Sequence, residues 1–251
     1  MKRTAVVAVG VLVAGGTALA AQARDTRISA DDGGLSVSPF GVEHTATVGS
    51  TDQMTVANRS KEALTISVKA RPWTQSSSGA VSPNRRSTLG AVKVSAGDFT
   101  LAPGEERKID VTLGATASGG SLYGALEVVG LPKDVATRKG VVTGYRLVGA
   151  LRYHPSAKTH KLTAGTPKIS KGQLVLPIRS QGNTNDLVSG TVKVKGALGT
   201  KNGSVKATRI LPGKQVSLAV AKNLKAGSYT ATISLKQGNL KTTVTKKLRV
   251  K

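Results

Sequence analysis

The 251-residue chain contains no cysteine, so no disulfide can staple it and no lipoprotein attachment site exists. Aromatic residues are nearly as scarce: two Phe, four Tyr and one Trp. Stability must therefore come from aliphatic cores. Helical periodicity is almost absent beyond the first residues. No apolar run reaches the about 20 residues a spanning helix needs, because the run from Ala5 to Val13 is soon broken by Gly15, Gly16 and Thr17. Acidic residues run short in one half only. Between Arg24 and His154 there are 16 Lys and Arg against 12 Asp and Glu, whereas from Pro155 onward 19 face the single acid Asp186. The second half is a cationic body, expected to accumulate on anionic polymers by its field and by counterion release.

What is present begins with MKRTAVVAVGVLVAGGTALAAQA: a basic start, an apolar run, and small residues before Ala-Leu-Ala and Ala-Gln-Ala. These three parts read as a secretory signal peptide over residues 1–23. The C-terminal KTTVTKKLRVK carries no apolar tail and no sorting signal. The mature chain is therefore expected outside the cytoplasm, associated with the cell envelope, without a transmembrane anchor.

Beyond the leader, apolar and polar residues alternate with period two. LTISVKA, KIDVTL, SLYGALEVV and GYRLVGALRYH stand in the first half; QLVLPIRSQ, SGTVKVKG, QVSLAV and SYTATISL stand in the second. In GYRLVGALRYH, Tyr145, Leu147, Gly149, Leu151 and Tyr153 share one face. Turn clusters such as AlaProGlyGluGlu (102–106) separate the runs. Short strands at such spacing predict an all-β chain of two tandem immunoglobulin-like β-sandwiches. A single large sandwich is the competing reading. The polar, Pro-bounded stretch after His154 coincides with the charge shift, which favours domains over 24–154 and 167–251 joined by a linker at 155–166.

Catalytic constellations are missing. There is no G-x-S-x-G elbow and no S-x-x-K pair, and SerGlyGlySerLeuTyrGly (118–124) lacks the Lys-Ser/Thr ending of a phosphate loop. Gly119 and Gly120 read as turn residues, and Gly124 as a close approach of backbones. His154 and His160, six apart, fit no metal-ligand spacing and read as solvated linker residues. His44 follows Glu43 on a strand, so their side chains point to opposite faces. No enzyme activity, metal or cofactor is expected. A specific nucleic-acid role is not expected either, since the second half has one aromatic, Tyr229, and no helix to enter a groove.

Three features remain as candidate binding elements. TQSSSGAVSPNRRSTLG (74–90) is long and irregular, with a basic tip at Arg85 and Arg86, and is either a flexible or a binding loop. Trp73 either caps the core, the favoured reading for a lone large aromatic, or stands out as a sugar-stacking platform. Lys193, Lys195, Lys201, Lys206, Lys214, Lys222, Lys225, Lys246 and Lys247 supply an anion-binding face or simply solubility.

The strings LSVSPFGVEHTATVGSTDQMTVANRSKEALTISVKARPW, VKVSAGDFTLAPGEERKIDVTL and GGSLYGALEV resemble the N-terminal immunoglobulin-like domain shared by pilus-assembly chaperones and WxL-interacting cell-surface proteins. The resemblance covers about residues 35 to 153 and is nearer to the WxL-interacting group, in which a second sandwich follows in tandem. It implies a binding protein of the bacterial envelope. Pilus chaperones hold a client's C-terminal carboxylate with an Arg near their first strand; here that strand reads SVSPFGVEH, and no Arg or Lys lies between Leu35 and Arg59.

The sequence thus leads first to an exported, non-enzymatic envelope protein that binds an anionic cell-wall polymer or a surface protein. A chaperone for pilus or surface-protein assembly, acting by β-strand addition, is the second reading. A carbohydrate-binding accessory module, resting on Trp73, is the third.

Overall fold

The computed structural model describes residues 34–170, 173–197 and 199–250, with the backbone of 7–10. The rest of the expected leader lies outside the described residues. All regular elements among the described residues are strands, and none is a helix long and apolar enough to cross a membrane. The chain divides into two compact units. One gathers Met1–Pro72, Pro83–Thr116 and Leu122–Tyr153; the other gathers Trp73–Ser82, Ala117–Ser121 and His154–Lys251.

The strands up to His154 are β1 (Val7–Gly10), β2 (Leu35–Ser38), β3 (Gly41–Thr45), β4 (Thr51–Asn58), β5 (Leu64–Gln75), β6 (Val81–Pro83), β7 (Val92–Val94), β8 (Asp98–Leu101), β9 (Glu106–Leu113), β10 (Leu122–Pro132) and β11 (Val142–His154). One sheet runs β1-β11-β10-β5-β6, with β3 joined to β11 and β8 to β5; the other runs β2-β4-β9-β7. The chain therefore changes sheets between β2 and β3. Period-two alternation decides which face of each strand is buried: Leu64, Ile66, Val68 and Ala70 of β5 meet Ile109, Val111 and Leu113 of β9 in one apolar core, while Thr65 and Lys69 point outward. At the corner after β8, Gly104 has φ near +78°, and the Ala102 amide donates to the Glu105 carboxylate at 2.7 Å. That corner is a turn, as its Pro-Gly pair predicts. Buried Asn58 closes the turn after β4. Its amide donates to the carbonyls of Glu62 and Leu101, and its oxygen accepts from Ser60.

The second unit adds β12 (Leu162–Ala164), β13 (Lys168–Ser170), β14 (Gln173–Ser180), β15 (Leu187–Gly196), β16 (Gly199–Arg209), β17 (Gln215–Lys222), β18 (Gly227–Gln237) and β19 (Leu240–Val250). One sheet is β12-β14-β13 with β17 on β14, and the other is β16-β15-β18-β19. Leu174, Leu176 and Ile178 of β14 pack with Val192 and Val194 of β15 and with Ile233 and Leu235 of β18. Both units are all-β sandwiches built on aliphatic cores, as the alternation requires.

The stretch 74–90 departs from its expected irregularity. β5 continues to Gln75 and β6 returns beside it, with the Thr74 hydroxyl donating to the Ser82 carbonyl at 3.0 Å. The Ser76 amide donates to the Ala80 carbonyl at 2.8 Å, and the Ser76 hydroxyl accepts from the Ala80 amide at 3.1 Å. Serines that look like loop filler in the sequence satisfy the hairpin turn. Within unit two, Gln75 then reaches β16 and the turn beyond it, donating to the Arg209 carbonyl at 2.7 Å and accepting from the Leu211 amide at 3.0 Å.

Candidate functional site

β11 organises the first unit's most distinctive surface. Tyr145, Leu147, Leu151 and Tyr153 pack against the core, so the shared face read from the sequence points inward. β10 pairs with β11 from Tyr145 to Tyr153. On the other edge, β3 meets the later part of β11. A side chain added at Gly149 would come within 2.3 Å of the Phe40 carbonyl oxygen, and one at Gly41 within 2.7 Å of the Ala150 oxygen, so glycine at both positions lets the backbones close up. Arg152 Nη1 donates to Glu43 Oε2 at 2.6 Å. The stretch SVSPFGVEH, which lacks the arginine that the resemblance to pilus chaperones implies, is divided between β2 and β3, and β3 presents the Glu43 carboxylate to β11.

The start of β11 is different. Val142, Thr143, Gly144 and Tyr145 are paired in parallel with the backbone of Val7, Ala8, Val9 and Gly10. Those partners belong to the expected leader. Val7–Gly10 thus covers the edge of β11 over Val142–Tyr145, a row of backbone donors and acceptors that would stand open to strand pairing without it. Val141, immediately before, is 76% exposed, and Thr143 is exposed. No charged side chain interrupts 141–145.

Next along β11, Arg146 takes part in an ion cluster on the outward face. Glu127 of β10, with only 4% of its side chain exposed, accepts from Arg146 Nε at 2.7 Å and from Arg71 Nε at 3.1 Å. Arg85 Nε lies 3.5 Å away. The register explains the convergence: Glu127 stands opposite Lys69 on β5 and Val148 on β11, so Arg71 and Arg146 are its diagonal neighbours. Burial alone would push the Glu127 carboxyl up, but the Arg146 and Arg71 guanidinia outweigh it and hold it below its ordinary value. Sequence reading passed over Glu127, although a lone acid inside the apolar run GALEVV is itself a sign of a buried partner.

Two histidines also find acids. His44 Nδ1 lies 2.7 Å from the Thr45 carbonyl oxygen and Nε2 3.1 Å from Asp52 Oδ2, with Tyr153 edge-on at 5.2 Å. His160 is not the solvated linker residue the sequence suggests: its side chain is 14% exposed and Nε2 lies 2.9 Å from Asp186. Lys158 reaches the same carboxylate at 3.2 Å. The fold brings in an acid 26 residues away, a distance no local pattern reveals. Among the described residues, no three His, Cys, Asp or Glu side chains gather as a metal site would require.

The remaining candidates are dispersed. Trp73 is half-buried and belongs to neither core, because it lies beyond Ala70, the last fully buried position of β5. Its intermediate burial fits neither a fully buried core residue nor a freely standing platform, and leaves both the capping and the stacking readings as expectations. Arg85 joins the Glu127 cluster; Arg86 is exposed in the turn that Asn84 holds through a 3.1 Å bond to the Arg86 amide. All nine lysines are exposed. Lys193, Lys195 and Lys247 share the outward face of the sheet β16-β15-β18-β19, whereas Lys201 and Lys246 lie at inward-facing registers on its edge strands. Lys206 sits beside the register shift of β16, and Lys214, Lys222 and Lys225 lie off that sheet.

No family model matches the chain, and no curated protein matches it. Solved structures do. A chain from a chaperone–tip adhesin complex of CFA/I fimbriae biogenesis superposes with a TM-score of 0.56 at 14% identity, covering 86% of this chain and 99% of that one. The class 5 fimbriae chaperone CfaA gives 0.48 at 15% identity, over 86% of this chain and 99% of its own. The E. coli chaperone DraB gives 0.47 at 14% identity, over 86% and 97%. The first of these likenesses shows that the two sandwiches follow a pilus-chaperone-like fold.

Proposed function

We propose that this chain is a non-enzymatic, extracytoplasmic assembly chaperone that lends the open edge of β11 to an extended segment of a secreted client protein. One observation carries the reading. The edge from Val142 to Tyr145 is taken in parallel by an extended stretch of the chain's own leader, Val7–Gly10, which removal of the leader would vacate.

A client strand in that position would gain main-chain hydrogen bonds from β11. Affinity would come from these bonds, and Val141 and Val142 would offer apolar contact beside them. The inward residues Tyr145 and Leu147 anchor the strand on its own core, so the edge is presented on a rigid support. The likeness in fold to a chain from a chaperone–tip adhesin complex supports the same role. This ranks strand addition above the wall-polymer reading that the sequence puts first, and above the carbohydrate module, whose Trp73 is half-buried.

The test is hydrogen exchange on the leader-cleaved protein with and without a synthetic peptide of alternating apolar residues. Amides of 142–144 that face this edge should exchange freely alone and become protected with the peptide. Thr143→Pro, at an exposed position outside the β10 ladder, should abolish that protection while leaving the melting temperature close to that of the parent. Protection appearing elsewhere, or unchanged by Thr143→Pro, would overturn the assignment.

A further inference from the structure

The outward face of the sheet β16-β15-β18-β19 forms an ordered array, and its composition follows from register. Lys195, Thr230 and Lys247 stand in one row across β15, β18 and β19; Lys193, Thr232 and Thr245 stand in the next. Thr191, Ser234 and Thr243 make the third row, and Ser189, Lys236 and Lys241 the fourth. Arg249 lies opposite Ser228 at the near end. The opposite face of the same strands buries Val192, Val194, Ala231, Ile233 and Leu235, so these hydroxyls and cations cannot turn inward.

Three properties set this face apart from an ordinary soluble surface. It carries six cations, Lys193, Lys195, Lys236, Lys241, Lys247 and Arg249, and no carboxylate. Beyond Pro155 the only carboxylate side chain is Asp186, which is occupied by Lys158 and His160. Between the cations runs a hydroxyl ladder in which Ser234 and Thr243 are 3.1 Å apart, and Thr232 and Thr245 3.4 Å. An open depression of about 530 Å³ lies among Lys195, Thr230, Lys247 and Arg249, with Tyr229 and Leu248 also in its lining. Solubility is served by mixed charge; a one-sign array interleaved with hydroxyl donors is what a chain of anions requires.

We propose that this face binds a linear polymer of phosphate groups lying across the strands. Lysine ammonium groups act as point charges toward phosphate, and the threonine hydroxyls donate to its remaining oxygens. Alternate residues on a strand are about 6.8 Å apart and neighbouring strands about 4.8 Å apart, so successive anions of one flexible chain can each meet a cation. Tyr229 and Leu248 of the depression's lining stand at inward registers and pack against the core, so the outward positions offer no aromatic ring for a base or sugar to stack on and no apolar side chain to enter a bilayer. A linear polyphosphate or polyphosphodiester therefore fits better than a nucleic acid or a membrane. The inference is independent of the β11 edge.

Long-chain inorganic polyphosphate, titrated into the full-length protein by calorimetry at several salt concentrations, tests it. The triple variant Lys193→Gln/Lys195→Gln/Lys247→Gln should bind roughly tenfold more weakly, with a log–log salt slope shallower by about two. Lys214→Gln/Lys222→Gln/Lys225→Gln removes the same net charge away from the face and should weaken binding much less. Thr232→Val, which changes no charge, should cost a few-fold. Equal losses in the two triple variants would reduce the effect to bulk charge and overturn the site. Tighter binding to duplex DNA or to phosphatidylglycerol vesicles, at equal phosphate and salt, would overturn the ligand class. Circular-dichroism melts of each variant separate lost binding from lost folding.

Discussion

Arg146 Nε donates to Glu127 Oε1 at 2.7 Å across the β10–β11 ladder, one diagonal step from the direct partner Val148. Arg71 completes the pair from β5 at 3.1 Å. The side chains of Arg71 and Arg146 are 14% and 15% exposed, so removing the carboxylate would strand two largely dehydrated guanidinium groups. Glu127→Ala should therefore destabilise the protein by about 3 kcal/mol in urea denaturation. Glu127→Gln, which keeps an acceptor, should cost less. Arg85→Ala, at a side chain 68% exposed, should change stability by less than about 1 kcal/mol. A Glu127→Ala protein as stable as its parent would show the cluster to be energetically idle.

The pH dependence of the first unit should carry the mark of His44. Both ring nitrogens face acceptors: the Thr45 carbonyl raises its pKa, partial burial lowers it, and Asp52 raises it further, for a net value above the ordinary 6.5. A raised folded-state pKa gives stability that is complete below the unfolded value and lost as pH climbs through the folded one. His44 should titrate above about 6.5 by NMR, and Asp52→Asn should lower that value. Denaturant midpoints should fall as pH rises past about 6.5 in the parent and change less in Asp52→Asn. Asp186 runs the opposite way in the second unit. Burial would raise it, but His160 and Lys158 leave it depressed, so its contribution is lost as pH falls through the folded value.

Gly124 on β10 should resist substitution. An added Cβ would lie 2.3 Å from Leu89 Cδ2 and 2.9 Å from the Arg71 carbonyl oxygen. The side chain can move and the backbone oxygen cannot. Gly124→Ala is expected to cost about 1–3 kcal/mol, measured as a shift in the urea midpoint at constant slope. Adding Leu89→Ala should recover part of that cost relative to Leu89→Ala alone, and strict additivity of the two changes would mean that Leu89 is not the obstacle.

Gly124 also shows how much was legible in the sequence. A glycine inside an alternating strand signals close approach, and the rows Leu64/Ile66/Val68 and Ile109/Val111/Leu113 signal buried faces, because parity along one strand is a local property. Partnership across strands is not local. Glu127 meets Arg71 over 56 residues and Arg146 over 19, and His160 meets Asp186 over 26. The same limit applied to the lysines. Their exposure followed from composition, yet only inter-strand register separates Lys193, Lys195 and Lys247 from Lys201 and Lys246 on the other side of the same sheet. In 74–90 the serines that terminate strands in most contexts here closed a hairpin.

Among the described residues β19 ends the sheet β16-β15-β18-β19 with no strand paired to its outer edge, an 11-residue invitation to edge-on pairing with a second copy. Lys241, Lys246, Lys247 and Arg249 place charge on both of its faces, so two such strands brought together would repel along their length. The start of β11 has no such guard from Val141 to Tyr145. One molecule thus carries an edge guarded by charge and, were Val7–Gly10 to leave as proposed, an edge without such a guard, and the contrast would direct an incoming strand to the second. If the chain lends strand edges as proposed, the charges of β19 keep two copies from pairing with each other in place of a client.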